Sequence, residues 1–386
     1  MSKKKGCLWL AGGGLVLLLI AGAVVYWLFG RQVNLAGVLG EGQEVAVQLP
    51  DGFRATVFAG GLNGPRFMAV GPDGTVYAAD RGNDRIVALP DEDGNGRADE
   101  IRVFAEDLNN PHSLVFHQGA WYVGVPSGVV RLFDEDGDGR ADRREAIVDN
   151  IPPSGQHTTR TVAFLPDGRM VLSVGSSCNV CEEEDPRRAA IVVYDGPDGE
   201  GERIMAGGLR NAVGLAVRPA TGELWATNNG RDLMGDELPP ETVYVIADGA
   251  DYGWPYCHSG DVVDPDLGFD GACDGVPQPV VEMQAHSAPL GLAFYNGDMF
   301  PATYRGDLFI AFHGSWNRSA PTGYKVVRLP FENGEPAAAV VDFATGWLDR
   351  ETGDASGRPV DVLVGSDGAL YISDDKGGYI YRISYQ

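Results

Sequence analysis

The chain has 386 residues and a formal net charge of -24, from 54 acidic and 30 basic side chains. That charge repels a phosphate backbone and argues against nucleic acid as a partner. With Gly 54 and Pro 24, the composition describes a turn-rich globular chain of strands and loops, long enough for one large all-β domain or two ordinary ones.

In chain order, Lys3, Lys4 and Lys5 precede an uncharged, mostly apolar run from Cys7 to Phe29, closed by Arg31. At about 1.5 Å per residue, a run of roughly 22 residues spans a hydrocarbon core of about 30 Å. It stays apolar through Tyr26, Trp27 and Leu28, without the short centre and small-residue cleavage site of a signal peptide. Residues 1–31 therefore read as an uncleaved transmembrane anchor with a short cytoplasmic tip, the alternative being a long signal peptide. The lysines favour the N-terminus inside and the rest of the chain periplasmic or extracellular. Cys7 stands at the start of the apolar run, not after it, and is not placed as a lipoprotein cysteine. Residues 32–48 follow as a linker.

An exported body puts its other four cysteines in an oxidising compartment. Cys257 and Cys273 bracket a Gly- and Asp-rich loop and read as a disulfide, with free buried thiols as the alternative. Cys178 and Cys181 form a CxxC with no second CxxC and no histidine pair at zinc spacing, so a tight disulfide is favoured over a structural zinc.

From residue 49 to 386 one pattern recurs: an apolar strand, a turn such as PDG, and a second apolar strand. Six copies stand in GPRFMAVGPDGTVYAAD, NPHSLVFHQGAWYVGV, HTTRTVAFLPDGRMVLSVG, LRNAVGLAVRPATGELWATNN, APLGLAFYNGDMFPATYRGDLFIAF and GRPVDVLVGSDGALYISDD. Most are followed by another short strand, such as DRIVAL, GVVRLF or YIYRIS. Repeats of this length without helical periodicity predict a propeller. The fold class expected is all-β, a six-bladed β-propeller preceded by one N-terminal transmembrane helix. GFRATVFA, Gly52 to Ala59, is expected to complete the last blade and close the ring.

In a propeller, the residues just before each innermost strand converge on one end of the central channel. Here they include Arg66, His112, His157, Arg160, Arg210 and Arg358, joined by Arg318 and Lys325 from the long fifth blade. Such a cationic set suits a ligand with several carboxylates, since guanidinium forks pair bidentately with them; inter-blade ion pairs are the alternative. Two further stretches have oxygen ligands at alternating positions, as in the first half of an EF-hand loop. They are Asp91, Asp93, Asn95 and Asp99, and Asp134, Asp136, Asp138 and Asp142. Arg102 and Ala146 stand where the bidentate Glu would be, so a structural calcium competes with a solvated acidic turn.

Taken together, HTTRTVAFLPDGRMVLSVGSSCNVC, LRNAVGLAV, NNGRD with DELPPETVYVIADGADYGWPYC, HGSWNR and GRPVDV resemble the quinoprotein sugar dehydrogenases with a six-bladed propeller. The group includes soluble PQQ glucose dehydrogenases, aldose sugar dehydrogenases and L-sorbosone dehydrogenases, and the last are the nearest likeness. The resemblance runs from Leu49 to Tyr385. It implies oxidation of a sugar or sugar-derived aldehyde with PQQ and Ca²⁺ as cofactors, and a quinone or cytochrome as electron acceptor.

By the same resemblance His157 is the general base, and Arg210, Asn211 and Arg358 contact PQQ. Arg318, with Lys325 as second choice, supplies the basic residue of the fifth blade. The calcium is held by main-chain oxygens at Gly230 and Arg231, with Asp236 and Glu237 as the acidic pair downstream. Two positions depart from the pattern: Val360 replaces a second cation of the last blade, and Ser176 replaces the carboxylate that orients the base. A calcium-dependent lactonase on the same fold and a non-catalytic propeller that binds a partner or glycan are the alternatives.

Overall fold

Val76–Asp80, Met170–Val174, Leu224–Asn228, Leu308–Phe312 and Leu370–Asp374 are almost wholly buried along their length. A short strand that is apolar on both faces must be covered on both faces, and here neighbouring sheets do the covering. The computed structural model describes residues 47–386. The anchor expected over residues 1–31, and nearly all of the expected linker, lie outside the described residues. Among the described residues no helix is long and apolar enough to cross a membrane.

Six sheets follow one another along the chain, antiparallel except where one added strand joins the third in parallel. Blade 1 is Pro65–Val70, Val76–Asp80, Arg85–Leu89 and Arg102–Ala105; blade 2 is Ser113–His117, Ala120–Val125, Gly128–Phe133 and Arg143–Val148. Blade 3 is Arg160–Phe164, Met170–Val174, Ala190–Tyr194 and Arg203–Gly207, extended by Ala250–Asp251; blade 4 is Leu215–Val217, Leu224–Asn228, Glu241–Val245 and Val281–Met283. Blade 5 is Pro289–Phe294, Leu308–Phe312, Lys325–Leu329 and Val341–Ala344. Blade 6 takes Pro359–Val364, Leu370–Asp374 and Tyr379–Tyr385 from the C-terminus and its outer strand, Phe53–Gly60, from the other end of the domain. The expected closure is present, and it joins the two ends of the sheet ring by a ladder of backbone hydrogen bonds.

The apolar core is divided among the interfaces between blades. One cluster, around Val162, Met170 and Tyr122, joins blades 2 and 3; another, around Phe309, Phe343 and Ile372, joins blades 5 and 6, and the other four interfaces have the same construction. Toward the axis, side chains bridge the innermost strands. Ser113 Oγ donates to Arg160 O at 2.9 Å, Thr227 Oγ1 donates to Leu290 O at 2.8 Å, and the Asp361 carboxylate accepts Met68 N at 2.9 Å.

Phe67, Leu290 and Val360 from three innermost strands and Val213 from the segment entering the innermost strand of blade 4 meet as a separate apolar cluster, which fills the axis. Val360 is fully buried there. A cation at that position would lose its hydration without a partner, which accounts for the valine.

Because strands alternate in direction, each blade opens the same two connections onto each face. The PDG turns and the acidic loops 91–99 and 134–142 leave on one face. The segments that enter each innermost strand, and those that join the second strand to the third, leave on the other.

Both expected disulfides are formed, Cys178–Cys181 and Cys257–Cys273. The second staples the long insertion between Glu241–Val245 and Val281–Met283. Within that insertion the buried Asp264 pairs with both His258 and Arg231.

Candidate active site

A cavity of about 390 Å³ stands on the second face, above the apolar plug. Entry segments supply His157, Arg210, Asn211, Ala288 and Arg358 to its wall, and the start of the innermost strand of blade 1 supplies Arg66. The connections between second and third strands supply Arg81, Asn229, Gly230, Asp232, His313, Trp316, Asn317 and Asp375.

His157 lies three residues before the strand Arg160–Phe164. Its loop is fixed from beneath by two arginines. Arg160 donates to the carbonyls of His157, Thr159 and Pro152, and Arg188 donates to those of Pro152, Ser154, His157 and Gly175. Arg160, expected among the ligand-binding cations, is instead spent on backbone. The imidazole Nδ1 lies 3.0 Å from Ser176 O and 2.9 Å from Ser176 Oγ, and that hydroxyl donates onward to Cys178 O at 2.7 Å. Since a backbone carbonyl can only accept, Nδ1 carries the proton and Nε2 holds the lone pair. Ser176 thus does with a carbonyl and a hydroxyl what a carboxylate was expected to do.

Nε2 has no hydrogen-bond partner among the described residues. Burial, reinforced by the positive charge of Arg210, pushes the imidazole pKa down to about 3, so the ring is neutral across the physiological range, with its Nε2 lone pair unprotonated. Gly175 makes this packing possible, because a Cβ there would stand 2.6 Å from His157 Cβ and 2.5 Å from Asn211 Oδ1.

The cations of the cavity are held in different ways. Arg66 pairs with Asp375 at 2.6 Å, and Asp375 also meets His313 Nε2 at 3.0 Å. Arg210 pairs with Asp232 at 2.8 Å. Arg358 donates to the carbonyls of His313 and Gly314, and among the described residues neither it nor Arg81 has a carboxylate partner. Asn317 adds an amide whose Nδ2 and Oδ1 are both buried and both without partners, a pair of groups that a polar ligand in the cavity would satisfy.

Opposite charge gathers on the blade 4 wall. Asn229, Gly230, Asp232 and Glu241 bring backbone and carboxylate oxygens to one side of the cavity, the donor chemistry of hard cations such as calcium. Glu241 is buried, its two oxygens accepting Gly230 N at 2.7 Å and Ala288 N at 3.3 Å. Burial pushes its pKa up to about 7, against the pull of those backbone donors and of Arg210.

Several expected residues fall elsewhere. Asp236 and Glu237 are not on the cavity wall; Asp236 accepts Ser319 N and Glu237 pairs with Arg318 at 2.5 Å, so both serve a contact between loops. Arg231, expected to act through its main-chain oxygen, is not among the residues lining the cavity, and its guanidinium is directed into the disulfide-stapled insertion, onto Asp264 and Asp266. Arg318 and Lys325 line a neighbouring cavity of about 310 Å³. Lys325 there pairs with Asp342. The reason is local: the loop after Phe312 offers Gly314, Trp316 and Asn317 to the central cavity, which turns Arg318 toward the loop of residues 232–238.

Both acidic loops are on the opposite face. Asp91 accepts the amides of Asn95 and Gly96, Asp134 those of Gly137 and Gly139, and Asp99 and Asp142 those of Glu92 and Glu135. The carboxylates of Asp134, Asp136 and Asp138 approach within 4.8 Å of one another, but in both loops the leading and closing aspartates already satisfy their own turn.

Sequence reasoning missed Glu241, Asn317, Trp316 and the His313–Asp375 pair, and reached Asp232 only within the stretch from Asn228 to Asp232, weighed there as a weak hard-cation site. All but Glu241 come from connections between second and third strands, and Glu241 opens a third strand. Aligning the repeats on their first strands hides these positions, because the connections differ in length from blade to blade. HGSWNR and the stretch from Asn228 to Asp232 carried the only visible signal.

The closed six-bladed propeller carries a one-sided polar cavity built from a histidine, several arginines and an oxygen-rich wall, the form of a small-molecule site. The chain belongs to the TrAA12-like family, whose profile matches residues 47–386. A curated relative, the pyrroloquinoline quinone-dependent pyranose dehydrogenase of Coprinopsis cinerea, is 27% identical over 404 residues, covering 87% of this chain and 54% of that protein. The chain thus spans about half the length of that relative.

Among solved structures, the holo form of the pyranose dehydrogenase PQQ domain from Coprinopsis cinerea has a TM-score of 0.75 at 24% identity, covering 89% of this chain and 98% of that one. The calcium structure of the family AA12 carbohydrate-active enzyme of Trichoderma reesei has a TM-score of 0.76 at 22% identity, covering 90% and 99%. At these identities the structural likenesses carry the fold.

Proposed function

We propose that the protein is a PQQ- and Ca²⁺-dependent dehydrogenase of a sugar or sugar-derived aldehyde that passes electrons to a quinone or cytochrome. On this reading the N-terminal segment anchors it to a membrane with the propeller on the periplasmic or extracellular side. One observation carries the catalytic part: a neutral histidine with an unbonded Nε2 shares a cavity with cations that suit a polycarboxylate and an oxygen wall that suits a hard cation.

The residues fit the two groups. Arg66, Arg81, Arg210 and Arg358 would meet the cofactor carboxylates, Asn317 would pair its amide, and Gly230 with Asp232 and Glu241 would hold the cation. When bound, PQQ supplies a quinone carbonyl that takes up hydride and Ca²⁺ polarises that carbonyl. His157 accepts at Nε2 the proton of the substrate hydroxyl, and Ser176 keeps Nδ1–H in place as the ring becomes charged. Asn211, packed beside His157 across Gly175, confines the ring. Trp316, 70% exposed on the rim, offers an aromatic face to a sugar ring.

The lactonase alternative asks for carboxylates and amides around a cation without a cationic set beside them, whereas here Arg66, Arg81, Arg210 and Arg358 share the cavity with Asn229, Asp232 and Glu241. The test is to titrate the detergent-solubilised full chain with PQQ and Ca²⁺, following absorbance, and then to measure dye reduction with a panel of aldoses and hydroxyaldehydes. Saturable PQQ binding and sugar-dependent dye reduction are expected. Absence of PQQ binding would overturn the proposal.

A further inference from the structure

The loop joining Met170–Val174 to Ala190–Tyr194 reaches both halves of the cavity. At one end it holds the histidine: Ser176 O and Oγ accept Nδ1–H of His157, and Ser176 Oγ is itself tied to Cys178 O at 2.7 Å. Three residues after Ser176 it holds the arginine. The main-chain oxygen of Asn179 accepts Arg210 Nε at 3.0 Å and Trp254 Nε1 at 3.3 Å, and its Oδ1 accepts Arg210 NH2 and Asp232 N, each at 2.9 Å. Its Nδ2 donates to Asp232 O at 3.0 Å. Both carbonyl-type oxygens of this one residue are therefore committed to Arg210, and its amide clasps the backbone of Asp232.

The Cys178–Cys181 disulfide encloses Asn179 and begins at the carbonyl that Ser176 grips. Cross-links act on the unfolded chain in proportion to the logarithm of the loop they close. A bridge over a sequence separation of 3 therefore stabilises the fold less than one over 16, as in Cys257–Cys273. What the short ring can do is fix the distance between Ser176 and Asn179.

We infer that Ser176 to Cys181 is one positioning element, with Ser176 orienting His157 and Asn179 orienting Arg210 and Asp232, and with the Cys178–Cys181 disulfide holding the two in register. None of these residues needs to touch substrate. Arg210 is set before a ligand arrives, so less freedom is lost on binding. The same ring keeps the proton of His157 on Nδ1. The inference rests on the proposed function in that Arg210 is taken to bind PQQ.

The test compares the full chain with Asn179→Ala, with Cys178→Ser/Cys181→Ser, and with Cys257→Ser/Cys273→Ser as a lesion of the same kind elsewhere. Three quantities are read: PQQ affinity by absorbance titration, kcat at saturating PQQ, and the ¹⁵N imidazole spectrum of His157 in the cofactor-free protein, assigned by its loss in a His157→Gln variant. Asn179→Ala is expected to raise the PQQ Kd about tenfold with kcat within about threefold of wild type, in line with the 10–100-fold effects of groups that support ligands. Removing the Cys178–Cys181 bridge is expected to raise Kd and lower kcat, each by about tenfold, and to move the His157 spectrum away from a single Nδ1–H form. Its Tm should fall by less than that of the Cys257→Ser/Cys273→Ser protein.

Wild-type Kd in Asn179→Ala, or an unchanged His157 spectrum in Cys178→Ser/Cys181→Ser, would overturn the inference while leaving the dehydrogenase reading intact. So would losses that merely track Tm in both double variants. If the wild-type chain itself fails to bind PQQ, the functional reading falls, and the His157 spectrum alone decides whether the loop positions the imidazole.

Discussion

His112 and His157 open adjacent blades, yet the structure gives them opposite surroundings. His112 directly precedes its strand, Ser113–His117, and is 1% exposed; its Nδ1 accepts Arg66 Nε at 3.3 Å and its ring packs 4.5 Å from that of Phe67. Its Nε2 is buried without a partner, and burial lowers its pKa well below the ordinary value. His157 stands three residues ahead of its strand, so it belongs to the loop and not to the axis. In blade 3 the place next to the strand is taken by Thr159. An offset of two residues decides whether an imidazole becomes packing above the plug or a free base on the cavity wall.

The sharpest way to break the comparison is to remove each ring. His157→Ala should lower kcat/KM by about 10²–10⁴-fold, the range for a positioned general base, with PQQ affinity close to wild type. His112→Ala should keep kcat/KM within about tenfold and instead lose roughly 1–3 kcal/mol of stability, because Arg66 Nε, though not the Asp375-paired end of the guanidinium, is left without an acceptor in a buried site. Steady-state kinetics, cofactor titration and thermal melts on both variants decide this. A larger catalytic loss in His112→Ala would reverse the assignment.

Gly175→Ala comes next. Its new methyl group would force His157 and Asn211 apart, and a displacement of that size is expected to cost about 100-fold in kcat, with the Tm little changed. A fully active Gly175→Ala enzyme would show that the position of His157 is not critical.

Smaller effects come from pH. The pKa of His157 lies near 3 and that of His313 near 4 in the folded chain, against about 6.5 when unfolded. Between these values the unfolded state binds more protons at the two histidines, so their contribution to stability is full above about pH 6.5 and is lost as pH falls toward 3. Buried Glu241 and Asp361, each with a pKa of about 7, act in the opposite sense over the same range, so the check is a difference: relative to wild type, His313→Gln should gain Tm as pH falls across this window. The acid limb of kcat/KM should lie below pH 5 and not near 6.5.

The least effect is expected from Asp134→Asn on the opposite face. It should leave kcat/KM unchanged and cost about 1 kcal/mol from weakened turn hydrogen bonds. A large loss of activity there would show that the two faces are coupled.

Much of the fold was open to reading because it depends on local periodicity. Alternating apolar strands around PDG turns recur six times, and each unit can bury its two faces only against copies of itself. The ring closure by GFRATVFA and both disulfides were equally legible, since an unpaired strand and cysteine spacing are properties of the chain alone. His157, Arg210 and Arg358 could be placed because they sit at or just before recognisable strands, Asn211 and Gly230 through the family resemblance, and all five line one cavity.

Only the tertiary structure decided the rest. Whether Arg160 binds a ligand or a backbone, whether Arg318 faces the cavity or a neighbouring loop, and which carboxylates stand beside Gly230 depend on how connections of unequal length fold over the axis. Asp236 and Glu237 are nearer to Gly230 along the chain, but Glu241 reaches its amide in space. Ser176 replaces a carboxylate through its backbone carbonyl, a group that every residue carries and no residue type reveals. Composition and period follow from short-range chemistry along one chain, whereas a site follows from long-range proximity between six blades.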